Sequence, residues 1–376
     1  MSLGGSAALG WQERLRRFPW SLLLLLMLII GFGFGVLYSA VGGENNLWLF
    51  WRQVIQSGLG IGIMASVAML ASEKIYRRFA YLLYSGSLLL LAVTMIMGSV
   101  GMGARRWLEI GFFRLQTSEL MKVALILALA RYFHDHAKAG ALGWRDLGVP
   151  FAMILLPMAF IIKQPDLGTA VLLGGVGLSI VVVAGISWRV LITLVIVVGA
   201  SMPLAWNGLH TYQKQRIITL FSPERDPLGS GYHIIQSKIA VGSGGVTGKG
   251  FMAGSQSQLD FLPERHTDFI FSVLAEEWGF LGGVTLLVLY ALLILRAFLI
   301  VEMANDRFGL LTVVGATMLF AIQVVVNVGM VLGLLPVVGV PLPLISYGGS
   351  SMVTLMIAMG LLAHVSLYSR QHGRSV

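Results

Sequence analysis

Long apolar runs separated by short polar joints dominate the chain. A helix needs about 20 mostly apolar residues to cross the hydrocarbon core of a bilayer. Unbroken runs of this length do not fit the alternating pattern of a membrane β-barrel, so they predict helices. The pattern therefore predicts an all-α polytopic membrane protein that forms a single integral membrane domain over 1–376. Ten candidate spans result: 19–40, 53–71, 79–100, 118–134, 147–163, 167–186, 188–206, 279–301, 308–334 and 343–368.

Composition supports lipid as the surrounding medium. Hydrophobic residues make up 57% of the chain and charged residues only 11%, whereas soluble domains carry about 25% charged residues. A soluble enzyme is therefore excluded. The absence of cysteine excludes disulfide frameworks, thiol nucleophiles and Cys-based metal sites. In a soluble protein the net charge of +9 would suggest a nucleic-acid partner. In a membrane protein, topology signals and attraction to anionic lipid explain it, so no nucleic-acid partner is expected.

Lysine and arginine cluster in alternate short loops, which predicts the orientation. If both termini are cytoplasmic, these cations all fall on the inner side. The longest loop, 207–278 between spans 7 and 8, is then extracytoplasmic, with short helices predicted at 230–242 and 267–279. The inner-side cations are Arg14, Arg16, Arg17, Lys74, Arg77, Arg78, Lys138, Arg145, Arg189, Arg296, Arg307, Arg370 and Arg374.

Two features of the outer side stand out. The third loop, 103–114, holds Arg105 and Arg106 against the orientation rule. Their purpose is either anchoring to lipid headgroups or binding an anionic ligand. The glycine-rich stretch 242–250 lacks the spacing of a Walker loop. It is either a flexible linker or a backbone cradle for a phosphate.

Ionisable residues at membrane depth are costly and usually pair. Glu119 and Lys122, at i and i+3 near the outer start of span four, can share one helix face. They form either a structural ion pair or a polar floor that offers Lys122 to a phosphate. Lys163 and Asp166 bracket the turn between spans five and six. Asp166 can cap the next helix, and both residues are candidates for substrate binding.

The segment around Asp268 carries the most chemistry. A helix from Thr267 would place Asp268, Ser272 and Glu276 on one face. Asp268 is then either a first-turn acid that suits the helix dipole or a catalytic group. Glycoside hydrolysis needs two carboxyl groups. Transfer from a lipid pyrophosphate needs one base for the attacking hydroxyl and cations for the leaving group, and a lone acid near Arg and Lys fits that chemistry.

Distinctive segments recur along most of the chain, at 103–107 with 116–122, 164–169, 264–271 with 275–279, and 327–349. Together these segments resemble the SEDS family (shape, elongation, division and sporulation). Two further stretches, 222–227 and 256–263, are similar to the elongation branch rather than the division branch. Thr117 departs from the family, which commonly has proline there and so starts this helix differently.

The resemblance implies a peptidoglycan glycosyltransferase that polymerises lipid II on the outer face of the bacterial cytoplasmic (inner) membrane. It implies Asp268 as the essential outer-loop aspartate, and places Arg105, Arg106, Glu119 and Lys122 at motif positions near the cavity. Arg105, Arg106 and Lys122 are the candidates for holding the pyrophosphate, with Lys249 a weaker candidate. No closed metal site is visible, although a divalent cation such as Mg²⁺ or Mn²⁺ could help neutralise pyrophosphate.

The resemblance also implies partners: a class B penicillin-binding protein and other membrane proteins of the elongation complex. Two rival functions stay open. A lipid II flippase would need a polar path to the inner side, and the intramembrane charges cluster instead at the outer ends. A scaffold that only positions partners would leave Asp268 replaceable.

Overall fold

The computed structural model describes residues 10–42, 47–101, 104–110, 113–138, 140–208, 211–226, 229–259, 261–262 and 264–369. Gly103, Arg370 and Arg374 lie outside this part of the chain. The helices up to the large loop are α1 (Trp11–Arg17), α2 (Trp20–Ala40), α3 (Leu47–Met69), α4 (Glu73–Met97), α5 (Thr117–Asp135), α6 (Trp144–Lys163), α7 (Leu167–Val183) and α8 (Trp188–Gly208). Those that follow are α9 (Thr211–Phe221), α10 (Ser230–Ser243), α11 (Ser255–Gln258), α12 (Ile270–Val301), α13 (Arg307–Val331) and α14 (Gly349–Ser369).

Each of the ten predicted spans corresponds to a helix, from α2 to α8 and from α12 to α14. Within the described residues, α2, α4, α6, α12, α13 and α14 are long and apolar enough to cross a membrane. Large apolar side chains such as Leu24, Leu82 and Val195 are exposed on the bundle, as expected of a surface that faces lipid. The chain is therefore a multi-pass membrane protein.

The last predicted span is wrong at its start. It was expected from 343, but α14 begins at Gly349. Proline at 341 and 343 cannot donate to a helix, and Gly339 has φ 73°. The connection between α13 and α14 is consequently irregular and crosses the end of the bundle, where it lines the candidate site described below.

The centre of the bundle is formed by α5, α13 and α14, which are buried along most of their length. α13 packs against α5, α7, α12 and α14. Small residues allow the close approach. A Cβ at Gly315 of α13, for example, would lie 2.7 Å from Cγ2 of Ile126. This rigid centre positions the loops at the end of the bundle where Asp268 lies.

A small antiparallel sheet forms most of the third loop. Its strands are β1 (Ser99–Gly101), β2 (Ala104–Ile110) and β3 (Phe113–Gln116), in that order. Trp107 of β2 pairs with both Ser99 and Gln116. The register of β1 against β2 shifts at Arg106, between the pairs Ser99–Trp107 and Val100–Arg105. Arg105 donates to the carbonyl of Ile96, whereas Arg106 donates to the carbonyls of Gln164 and Pro165, so the two cations do not act as one cationic patch.

The glycine-rich turn between α10 and α11 is packed against a break in α12. Gly279 has φ 67° and ψ −163°, a conformation that is essentially restricted to glycine. The N–H groups of Lys249 and Gly250 donate to the carbonyls of Glu276 and Glu277, each at 3.0 Å. Because these donors are used within the protein, the expectations of a flexible linker or a phosphate cradle are wrong for them.

Replacing Gly279 by alanine should destabilise the fold. A Cβ there would lie 2.3 Å from the backbone N of Gly248, and the backbone conformation alone costs about 1–3 kcal/mol for a non-glycine residue. We expect a lower melting temperature in detergent. Gly199→Ala is the matched control, since a Cβ there meets nothing within 4 Å; equal melting of the two variants would contradict the packed turn.

Candidate active site

Asp268 lies two residues before Ile270, the first residue of α12, and not on the helix itself. The predicted face shared by Asp268, Ser272 and Glu276 is therefore wrong. Ser272 forms a buried hydrogen bond of 2.8 Å with Ser237 of α10. The chain before α12 runs as a series of turns, in which Thr267 Oγ1 donates to Oε2 of Glu264 at 2.9 Å. Asp268 is thus presented by a turn.

Two buried polar side chains hold the main chain of this turn. Asn327 of α13 donates to the carbonyls of Asp268 (2.9 Å) and Val340 (2.8 Å). Ser346 donates to the carbonyl of Thr267 at 2.5 Å and accepts from the N–H of Leu342 at 2.8 Å. The turn is therefore fixed to α13 and to the irregular segment before α14. Such support keeps the carboxylate in one place.

Gly339 leaves room beside the carboxylate. A Cβ at this position would lie 3.3 Å from Oδ2 of Asp268, so any side chain would crowd it. The Asp268 side chain itself is partly exposed. An approach to Oδ2 from the Gly339 side is therefore free of a neighbouring side chain.

The surroundings of Asp268 favour a neutral carboxyl group more than water does. Burial raises the pKa of Asp268 to about 6, and the negative charges of Glu264 and Asp166 act in the same direction. Arg216 and Arg106 lower the pKa of the same group. A carboxyl group with a pKa close to neutrality is suited to accepting a proton at physiological pH.

Arg106 connects the sheet to the turn between α6 and α7. Its guanidinium donates to the carbonyls of Gln164, at 3.2 Å, and Pro165. It also lies 3.8 Å from Oδ2 of Asp166. Asp166 is buried and accepts from the N–H of Thr169 at 3.2 Å, so it caps α7 as predicted. Arg106 and Asp166 thus belong to the charges around Asp268.

Glu119 and Lys122 form the predicted ion pair, at 2.7 Å. Both side chains are buried in α5, and Oε2 of Glu119 has no hydrogen-bond partner within the described residues. Neither residue is among the charges that shift the pKa of Asp268. The pair is a buried feature of the bundle next to the sheet.

The remaining candidates lie apart from Asp268. Lys249 bonds to Glu276 at 2.7 Å and to Ser255 at 2.9 Å. Arg105 is exposed and donates a hydrogen bond to the carbonyl of Ile96 at 3.4 Å. Lys163 is exposed at the end of α6. None of these three cations contributes to the pKa shift of Asp268.

Two charged residues near Asp268 were not singled out from the sequence. Arg216 lies on α9, and Glu264 lies in the turn before Asp268. The sequence shows only that Arg216 lies in an outer loop. Arg216 and Asp268 are far apart in sequence, so the sequence does not indicate that the arginine acts electrostatically on this carboxyl group. Glu264 has φ 53°, which no sequence pattern indicated.

Among the residues that the structure describes, no group of three or more His, Asp or Glu side chains could hold a metal ion. The carboxylates around Asp268 are accompanied by two arginines, so the described donors do not fit a closed cation site. The chemistry below is accordingly derived from the protein's own groups.

The comparison with known proteins decides the family. The model of the FtsW/RodA/SpoVE family, described as cell cycle protein, matches residues 15–371. This chain belongs to the FtsW/RodA/SpoVE family. The match confirms the SEDS resemblance, and the bacterial relatives make the chain a multi-pass bacterial membrane protein.

Curated relatives in this family cover nearly the whole chain. The peptidoglycan glycosyltransferase MrdB of Escherichia coli strain K12 is 42% identical over 357 residues, which are 95% of this chain and 95% of that protein. The peptidoglycan glycosyltransferase RodA of Treponema pallidum is 34% identical and covers 94% of this chain and 98% of its own. The family similarity therefore includes the irregular segments of the site.

Solved structures of family members share the fold. One comes from a peptidoglycan synthase complex that coordinates polymerization and crosslinking. It is 36% identical, with a TM-score of 0.82, and covers 94% of this chain and 99% of that chain. The crystal structure of the rod shape determining protein RodA of Thermus thermophilus is 32% identical with a TM-score of 0.69, covering 94% and 97%. The helical fold predicted from the sequence is thereby confirmed.

Proposed function

We propose that this protein is a peptidoglycan glycosyltransferase that polymerises lipid II into β-1,4 glycan strands for cell elongation and rod shape. Membership of the family and 42% identity to MrdB support this activity. The observation that carries the chemistry is Asp268: a rigidly held carboxyl group with space beside it and two arginines in its surroundings. The site would face the outside of the cytoplasmic membrane.

The reaction needs one base. The 4-hydroxyl oxygen of the acceptor GlcNAc attacks C1 of the donor MurNAc, and the new O–C1 bond forms as the bond from C1 to the phosphate oxygen breaks. The Asp268 carboxylate takes the hydroxyl proton. The electron pair leaves with undecaprenyl pyrophosphate, which needs no acid because it departs as an anion. Attack from the opposite side converts the α-linked donor into a β bond.

The departing pyrophosphate gains charge and needs cations. We propose Arg106 and Arg216 for this role, because both act on the Asp268 carboxyl group. Asp166 would hold Arg106 in place. Arg105 and Lys163 would then bind more distant parts of lipid II, while Lys249 is bonded to Glu276 and Ser255. Glu119 and Lys122 would support the floor of the site.

A flippase is less well supported. It would need polar groups along a path through the bundle, and the buried centre of α13 and α14 is mostly apolar. A class B penicillin-binding protein is the proposed partner, by analogy with the synthase complex that coordinates polymerization and crosslinking. Other membrane proteins of the elongation complex would join them. Polymerisation of labelled lipid II by the purified protein tests the proposal.

The polymerisation rate should depend on pH through Asp268. Only the deprotonated carboxylate accepts the proton, so the rate should rise with pH around a midpoint of about 6 and fall below it. Glu264→Gln removes a charge that raises the pKa, so it should move the midpoint down. The measurement is the initial rate between about pH 4 and about pH 8, which extends to both sides of the expected midpoint of about 6 and reaches the ordinary pKa range of a carboxyl group. An unchanged midpoint in this variant would contradict the assignment.

Arg106→Gln should lower the polymerisation rate and raise the pH midpoint. Glutamine cannot replace the guanidinium between the carbonyls of Gln164 and Pro165, and hydrogen bonds from charged groups contribute about 1.5–3 kcal/mol. A loss of roughly 10- to 100-fold in kcat is expected. Arg105→Gln is the control on the same strand, where the side chain donates to the carbonyl of Ile96 instead, and it should change the rate much less. An equal loss in both variants would point to damage to the sheet.

A further inference from the structure

A basic cleft lies at the end of the bundle opposite Asp268, where α4 begins and α5 ends. It has a volume of about 460 Å³. The proposed function uses no residue in it. Its lining residues are Lys74, Arg77, Arg78, Arg131, His134 and Asp135.

The deeper half of the cleft is built from fixed side chains. Arg131 bonds to Asp135 at 3.2 Å and to the carbonyl of Arg78 at 3.1 Å, and its guanidinium lies 4.2 Å from the centre of the Tyr81 ring. Arg77 contacts His134 at 2.6 Å. This half therefore presents ordered cations with defined positions.

Acidic groups offset part of this charge on one side only. Asp306 lies 3.4 Å from His134 and hydrogen-bonds to Glu73. On the other side, Lys74 and Arg78 are exposed and form no ion pair with any described residue. An anion entering the cleft would therefore meet two cations that the protein does not neutralise.

An apolar surface continues from these two cations along α4. Lys74, Arg78 and Leu82 follow one another at i, i+4 and i+8, and so form one stripe. Leu82 is 63% exposed, and Phe79 and Leu83 beside it are also exposed. A phosphate in the cleft would thus have its attached acyl chains against this face. A soluble anion has no acyl chains and would leave this apolar face of α4 uncovered.

We infer that this cleft binds the phosphate headgroup of an anionic phospholipid, with its acyl chains along α4. Basic pockets between transmembrane helices, on the side that the cation pattern makes cytoplasmic, are suited to such headgroups. The bound lipid would join the ends of α4 and α5, the helices that carry the sheet and the Glu119–Lys122 pair at the other end. The inference stands independently of the polymerase activity.

Native mass spectrometry of the purified full-length protein in detergent, titrated with dioleoyl phosphatidylglycerol or phosphatidylcholine, tests it. We expect preferential binding of phosphatidylglycerol. Lys74→Gln with Arg78→Gln should weaken that binding by about tenfold or more, since each cation near the surface contributes about 1 kcal/mol. Both positions are exposed, and melting temperature checks the fold. Arg145→Gln with Arg189→Gln removes the same charge from exposed positions outside the cleft and should leave affinity unchanged.

Three results would overturn the inference. Equal weakening in both double variants would mean attraction to the general surface charge. Displacement of the lipid by inorganic phosphate at matched concentration would assign the cleft to a soluble anion. Binding of an oligoglutamate peptide in place of lipid, lost in the Lys74/Arg78 variant, would assign it to an acidic protein segment.

Discussion

Asp268→Asn should abolish most glycan polymerisation while the protein stays folded. Asparagine keeps the shape of the side chain but cannot accept the proton of the attacking hydroxyl. The backbone bonds from Asn327 and Ser346 to this turn use main-chain carbonyls, so they survive the substitution. A positioned general base contributes about 10²- to 10⁴-fold, and a loss of that size in strand synthesis is expected.

The matched control is Asp146→Asn, which makes the same change at the other end of the bundle. Asp146 caps α6 through the N–H of Gly143, a role that asparagine can also fill. Its polymerisation rate should equal that of the native protein. Melting temperatures of the three proteins separate loss of chemistry from loss of fold. An active, folded Asp268→Asn would show that this carboxylate is not the base.

Lys122→Met should produce the largest loss of stability. The ammonium and the Glu119 carboxylate are 2.7 Å apart and buried. Removing one partner leaves a buried, unpaired charge, which costs about 3–5 kcal/mol. The measurement is unfolding in mixed detergent micelles. Lys138→Met, which breaks an exposed pair with Asp146, should cost at most about 1 kcal/mol.

The double variant Glu119→Gln/Lys122→Met distinguishes a structural role from a functional one. The double variant leaves no unpaired charge buried in α5, so the fold should recover relative to Lys122→Met. If the pair supports the substrate-binding floor, polymerisation should stay reduced in this folded double variant. Full recovery of the rate would make the pair purely structural.

The helical bundle could be predicted from the sequence because each membrane-spanning helix makes its backbone hydrogen bonds within its own segment. The predicted start of span 8, at 279, coincides with the break at Gly279, whereas the predicted start of the last span is wrong; in both places that rule is relaxed. At Gly279 the broken helix bonds to the glycine-rich turn instead, and before Gly349 the chain is held by side chains such as Asn327 and Ser346. Both cases depend on contacts between segments far apart in sequence, which local hydropathy does not record.

The candidate site could be predicted only in part, because some of its contacts join segments that are far apart in sequence. Asp268 and the pairing of Glu119 with Lys122 follow from local chemistry and from the family resemblance. The separation of Arg105 from Arg106 required the positions of their partners, the end of α4 for Arg105 and the turn between α6 and α7 for Arg106. The approach of Arg216 required the position of α9. The sequence indicates Lys249 as a ligand for phosphate, whereas the packed turn directs it to Glu276.

One measurement addresses the central claim directly: the purified protein is supplied with labelled lipid II, with and without a class B penicillin-binding protein, and strand length is followed. In parallel, translocation of the same lipid is followed across vesicle bilayers. The account predicts long glycan strands from the native protein and none from folded Asp268→Asn, with no translocation above protein-free vesicles. Translocation without strands, even with the partner present, would contradict it and favour a flippase.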